Sequence, residues 1–365
     1  MASARMLTTA CLCLLLALVP GAGLADPGIA GQGPRVPPVH DIDRLVDASD
    51  VSSRMRSLLI SQGGEIIYER YFNDFGPDDL TNVKSVSKSI LSALIGIAIS
   101  ERLIYGVDTK IDEYFGEEMV ELGDPAIATI SIENLLTMQA GLRPTSNVNY
   151  GAWVQSDNWV SAALEMPMEA TPGREMLYST GNTHLLSAII ARASGRTTLD
   201  FAREALAEPL GFDLAPWPRD PQGIYFGGND MELTPRQMLA FGELYLNDGR
   251  IDGHRVIPES WVRASLMPRA KSPHGDSRYY GYGWWSCDLA GHFVPHAWGH
   301  GGQFIMLVPD LDLVLVTTSA PYADAAAHEH ANKVYGLLQR LIRNVDDYST
   351  PHQWYADRGP NPVLH

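Results

Sequence analysis

Lysine is scarce in this 365-residue chain: there are five, at positions 84, 88, 110, 271 and 333. No basic stretch occurs anywhere, and 43 Asp and Glu against 27 Lys and Arg give a net charge of −16. Phosphate backbones and anionic lipid surfaces are bound through clustered cations, so nucleic acid and such membranes are excluded as partners. Cysteine is scarcer still. Of three, Cys11 and Cys13 sit near the N-terminus, which leaves Cys287 alone in the body of the chain. A single thiol forms no internal disulfide, so stability must come from packing. Beyond the N-terminus no apolar run reaches the roughly 18 residues that a spanning helix needs. Internal repeats and low-complexity tracts are also missing.

What is present begins with a leader. Arg5 supplies a positive start, Ala10 to Val19 an apolar stretch too short to span a bilayer, and Gly23, Leu24 and Ala25 a small-residue cleavage site. Residues 1–25 therefore read as a secretory signal, and the protein is expected to be exported, periplasmic or secreted, with no stable membrane insertion after cleavage. Residues 26–38 are rich in Gly and Pro and read as a linker. The 45% apolar content supports one large domain over 39–350, with 351–365 as a tail.

Within that domain Arg56–Ser61 and Glu65–Phe72, joined by Gln62, Gly63 and Gly64, read as a hairpin. Helical segments follow from Ser85 onward. One has Ser131 as its cap, one runs from Asn182 to Gly195, one opens on Thr234 and Pro235, and a short one covers Pro258 to Leu266. Strand character returns at Tyr280–Ser286, Phe304–Pro309 and Leu313–Thr318, and a last amphipathic helix carries Val334, Leu337, Leu338, Leu341, Ile342 and Val345. The expected class is α+β. An antiparallel sheet is built from the two ends of the chain (about 39–84 and 273–350), flanked by helices, with a helical lobe (about 85–272) inserted.

Three stretches carry chemistry. Ser85, Val86, Ser87 and Lys88 open a long apolar run, so Ser85 and Lys88 fall one turn apart on one helix face. A serine hydroxyl needs a base, and a lysine desolvated on an apolar helix can lose enough basicity to serve as one. Ser87 and Ser89 are rival nucleophiles, though Ser87 faces elsewhere on the helix, and Lys84 reads as a solvated charge. The second stretch places Tyr178, Ser179 and Thr180 where a Pro/Gly loop enters a helix; the third is Trp298, Gly299, His300, Gly301, Gly302 and Gln303. Read singly, Tyr178 is a surface tyrosine and the Gly299–Gly302 segment a hairpin turn. His328, Glu329 and His330 suggest a metal, but residues two apart on a helix diverge, so neither metal nor other cofactor is expected. Trp284, Trp285 and Trp298 read as core or pocket wall.

In order, and with gaps of roughly 90 and 120 residues, these stretches resemble the serine β-lactamase-like and penicillin-binding-protein-like superfamily. They are similar to its branch of class C lactamases, carboxylesterases and 6-aminohexanoate-dimer hydrolases, from about residue 50 to about residue 345. The resemblance implies that Ser85 is the nucleophile of an acyl-enzyme. It also implies that Lys88 and Tyr178 share the proton transfers as a coupled pair, and that the N–H groups of Ser85 and Gln303 hold the oxyanion. His300, Gly301, Gly302, Thr180 and Asn182 would line the substrate site.

Two departures from the pattern stand out. Thr180 occupies the place of an Asn that orders the lysine, with Asn182 as a possible substitute, and His300 replaces a Lys suited to a substrate carboxylate. Both weigh against β-lactams and suit a neutral ester or short linear amide. The expected function is a serine hydrolase acting on such a small-molecule substrate; nothing in the sequence selects an oligomeric state. A penicillin-binding D,D-peptidase or β-lactamase, and a non-catalytic ligand-binding protein of the same fold, are the alternatives.

Overall fold

The computed structural model describes residues 36–349 except 123, 274–276 and 323. The leader at 1–25, most of the 26–38 linker and the 351–365 tail lie outside the described residues. A first helix, α1 (Val39–Asp47), precedes a hairpin of β1 (Met55–Gln62) and β2 (Glu65–Tyr71). The chain then leaves the sheet through the long middle segment, which begins with α2 (Ser87–Ser100) and includes α3 (Thr180–Ser194) and α4 (Pro235–Leu246). It returns in β3 (Ala270–Lys271), β4 (Arg278–Tyr280), β5 (Trp285–Leu289), β6 (His292–Gly299), β7 (Gln303–Val308) and β8 (Leu313–Ser319) and ends on α5 (Ala326–Tyr348).

These strands form one antiparallel sheet in the order β2-β1-β8-β7-β6-β5-β4-β3, so the first and last strands of the chain lie side by side. The class is α+β as expected, with strands from both ends of the sequence. Alternation along each strand explains the layering. Leu59, Ile305, Leu307, Val314 and Val316 pack towards the helical middle; Leu58, Ile60, Met306, Leu313 and Leu315 pack towards α1 and α5. Strands apolar on both faces must be covered on both faces, and this sheet is. α2 is buried on all sides from Ser87 to Ala98, which is why its apolar run shows no polar stripe.

Two strand expectations change. Tyr280–Ser286 is not one strand: β4 and β5 reverse through Gly281–Trp284, pairing Tyr280 with Trp285. The Gly281 N–H closes that reversal on the Trp284 carbonyl at 2.8 Å. β6 was not anticipated, because Pro295 and the buried His292 and His296 interrupt its apolar pattern. No helix among the described residues is long and apolar enough to cross a membrane.

Candidate active site

Ser85 lies in a 3-10 turn, Lys84–Val86, that runs directly into α2. Lys84, just before it, has φ +52°, left-handed territory that costs a side-chain-bearing residue energy. Its surroundings over-determine that geometry. The Lys84 N–H donates to Asn82 Oδ1 at 3.0 Å. Asn82 Nδ2 and Lys84 Nζ both donate to Asp230 Oδ1, at 2.7 and 3.2 Å. Lys84 is therefore an ion-paired, partly buried side chain and not a solvated charge. The bonds closing the turn are donated by Val86 and Ser87, so that of Ser85 is not consumed in it.

The three serines separate cleanly. Ser87 Oγ donates to the Lys84 carbonyl and Ser89 Oγ to the Gly283 carbonyl, both at 2.6 Å. Ser85, which is partly exposed, instead accepts a hydrogen bond from Lys88 Nζ at 3.1 Å. Lys88 is 1% exposed, and the polar partners of Nζ among the described residues are Ser85, Thr180 Oγ1 at 3.3 Å and the Gly228 carbonyl at 2.6 Å. No carboxylate is among them. Burial accordingly lowers the Lys88 amine to about 7, with the more distant charge of Asp230 acting in the opposite direction.

Tyr178 arrives from the loop before α3. Burial pushes its phenol up to about 12, with the nearby Ser85 hydroxyl acting in the opposite direction. Lys88 Nζ lies 5.2 Å from the centroid of its ring, and Trp285 stacks on it at 5.6 Å. Lysine and tyrosine thus differ sharply: near neutrality the amine can shed a proton, while the phenol keeps its own.

Thr180, not Asn182, meets the lysine. The Thr180 hydroxyl also shares a 2.9 Å hydrogen bond with Ser146, whose Oγ accepts the Thr180 N–H at 2.9 Å. Asn182 is buried further along α3 and is not a partner of Nζ. The Tyr178–Thr180 stretch therefore replaces the missing amide with a hydroxyl.

The third stretch is the turn between β6 and β7. Gly301 and Gly302 take φ +83° and +99°, and a Cβ on Gly302 would fall 2.9 Å from Ser319 Oγ, so the turn requires glycine there. The Gly302 carbonyl accepts Thr317 Oγ1 at 2.9 Å. A trans peptide points its C=O and N–H in opposite directions, so the Gln303 N–H faces away from Thr317. The Gln303 side chain is locked to both backbone groups of Ser319, at 2.8 and 3.0 Å. Beside this turn, Gly299 abuts the Val83 carbonyl and Lys84, which brings the Ser85 segment against it. His300 is exposed at the tip; desolvation of its inner side, then the charge of Lys84, hold its imidazole below the ordinary value and favour the neutral form. His330 points elsewhere, to Ser319 Oγ at 2.9 Å, while His328 is exposed.

Trp284 is core, beside Tyr245 and Phe241, whereas Trp285 forms a wall at Tyr178. Sequence reasoning missed Gly228 and Asp230. Their only signal, Gly227–Asp230, reads as an ordinary turn. Close approach explains the glycine: a Cβ on Gly228 would fall 2.1 Å from Thr183 Oγ1 and 3.1 Å from Lys88 Nζ.

A family model described as Beta-lactamase matches residues 42–338. The 6-aminohexanoate-dimer hydrolase of Paenarthrobacter ureafaciens is 24% identical over 353 residues, spanning 88% of this chain and 89% of that protein. Among solved structures, EstCE1, a hydrolase with promiscuous acyltransferase activity, superposes with a TM-score of 0.65 at 16% identity, covering 81% of this chain and 99% of that one. A D-stereospecific amidohydrolase from Streptomyces sp. gives a TM-score of 0.62 at 17% identity, covering 81% and 98%.

Proposed function

The chain belongs to the Beta-lactamase family, and from that premise we propose a serine hydrolase that works through an acyl-enzyme on a carboxylic ester or small linear amide. The observation that carries this reading is the contact of a fully buried, carboxylate-free Lys88 amine with Ser85 Oγ at 3.1 Å. A neutral Lys88 takes the Ser85 proton as Oγ attacks the substrate carbonyl. The resulting oxyanion is held by the N–H groups of Ser85 and Gln303. Tyr178, protonated and close to Ser85 and Lys88, passes a proton to the leaving group as the carbonyl reforms, and regains one from the Lys88 ammonium. Water then enters by the reverse sequence, cleaves the acyl-enzyme and restores Ser85.

Substrate class follows from charge. A neutral His300 and the hydroxyl of Thr180 suit an uncharged ester or amide better than an anionic β-lactam. The kinship with a 6-aminohexanoate-dimer hydrolase supports the linear-amide part of this reading, though not its lack of charge. Export, inferred from the 1–25 leader, is part of the proposal. Ser85→Ala is expected to abolish p-nitrophenyl ester hydrolysis, and a fluorophosphonate should label wild-type Ser85 stoichiometrically. Wild-type turnover in the variant would refute the nucleophile, an unlabelled folded protein would favour a binding protein, and nitrocefin turnover matching ester turnover would favour a lactamase.

A further inference from the structure

A buried histidine–carboxylate hydrogen bond lies behind Lys88 and takes no part in the proton transfers above. His184 sits one turn after Thr180 on α3. Its Nε2 lies 3.0 Å from Asp220 Oδ2, and both side chains are fully shielded from water. The other oxygen of Asp220 accepts the N–H groups of Gln222 and Ile224 at 2.9 and 2.8 Å. Trp153, Trp159 and Phe226 enclose the imidazole. On its free side Nδ1 faces the Gly227 N–H at 3.4 Å.

These partners fix the tautomer. An N–H points at Nδ1, so Nδ1 is the acceptor and the proton resides on Nε2, facing the carboxylate. Burial lowers the imidazole's affinity for a second proton, so the neutral form persists. Gly227 is pressed so closely on α3 that a Cβ there would fall 2.0 Å from the Thr183 carbonyl. The next residue is Gly228, whose carbonyl makes the shortest contact to Lys88 Nζ, 2.6 Å.

We propose that Asp220 and His184 are positioning residues for the general base: they hold the Gly227 N–H, and through it the Gly228 carbonyl, against the Lys88 amine. The inference rests on the serine-hydrolase reading but concerns the geometry of Lys88, which can be read without turnover.

Asp220→Asn is the direct test. The Gln222 and Ile224 N–H groups claim the amide oxygen, which leaves the amide NH2 facing Nε2 and drives the proton to Nδ1. Two N–H groups then oppose each other at Gly227, and the glycine strand moves off Lys88. Burial is the first cause of the low amine value, so water admitted there raises it. With 13C-labelled lysine only five side chains titrate, and Lys88→Met identifies the signal of interest. In D220N its midpoint should rise by about one pH unit, and the rate of Ser85 labelling at pH 7 should fall about fivefold. An unchanged midpoint in folded D220N overturns the proposal, even if its thermal stability falls. Should D220N not fold, His184→Asn, which keeps an acceptor near Nδ1, should retain the midpoint while His184→Leu raises it; equal midpoints overturn the proposal. Failure of wild-type Ser85 to be labelled would instead sink the hydrolase reading, leaving the Lys88 midpoints to decide this one.

Discussion

Lys84 and Lys88 flank Ser85 and live in opposite electrostatic worlds. Lys84 is 22% exposed and paired with Asp230, so its charge is matched and its left-handed backbone is held. Lys88 is buried against hydroxyls and a carbonyl, none of which compensates a full charge. The Asp230 carboxylate is thus directed to the lysine that shapes the turn, away from the one proposed to lose its proton. Residue type alone does not make a base; the placement of one aspartate does.

Removing the buried lysine should break this contrast most visibly. Lys88→Met is expected to cut ester turnover by at least about 10³-fold, and also to alter stability in a pH-dependent way. The folded value of Lys88 lies below its unfolded value, so the unfolded chain binds the extra proton. Wild-type stability should therefore rise from about pH 7 towards the unfolded lysine value, and the variant should gain most below pH 7. Thermal melts at pH 6 and pH 10 check this; a variant less stable at pH 6 would contradict it.

Asp230→Asn sharpens the other side. It frees Lys84 and removes the charge that raises Lys88, so the Lys88 midpoint should fall further while the Ser85 turn loosens. Turnover at pH 8, where Lys88 is neutral in both proteins, should drop about tenfold through the turn alone. An unchanged rate would show that Lys84 needs no partner.

The smallest effect concerns a pair remote from the cleft. His292 contacts Asp310 at 2.6 Å and Asp346 at 3.5 Å, and the Asp310 hydrogen bond raises its value above the ordinary one. Its contribution is complete below the unfolded histidine value and is lost as pH rises through the folded one. His292→Asn should lower the melting temperature by about 2 °C at pH 5.5 and by less at pH 8.5. Equal losses at both would assign His292 to packing.

The sequence made local geometry legible. Three-residue spacing on a helix was enough to join Ser85 to Lys88, and capping residues located the Ser131 and Thr234 helix starts. Tyr178 was legible only through family resemblance, because its meeting with Ser85 depends on the path of about 90 intervening residues. The choice between Thr180 and Asn182 depended on helix phase at the α3 start, which no pattern sets. Gly228 and Asp230 were hidden for the same reason, as contacts across 140 and 146 positions leave no periodic mark.

The most direct measurement is the pH dependence of fluorophosphonate labelling at Ser85. The rate should rise with a midpoint near 7 and then level off, tracking loss of the Lys88 proton. A rate that climbs only where an ordinary lysine or the Tyr178 phenol ionises would contradict the assignment of Lys88 as the base.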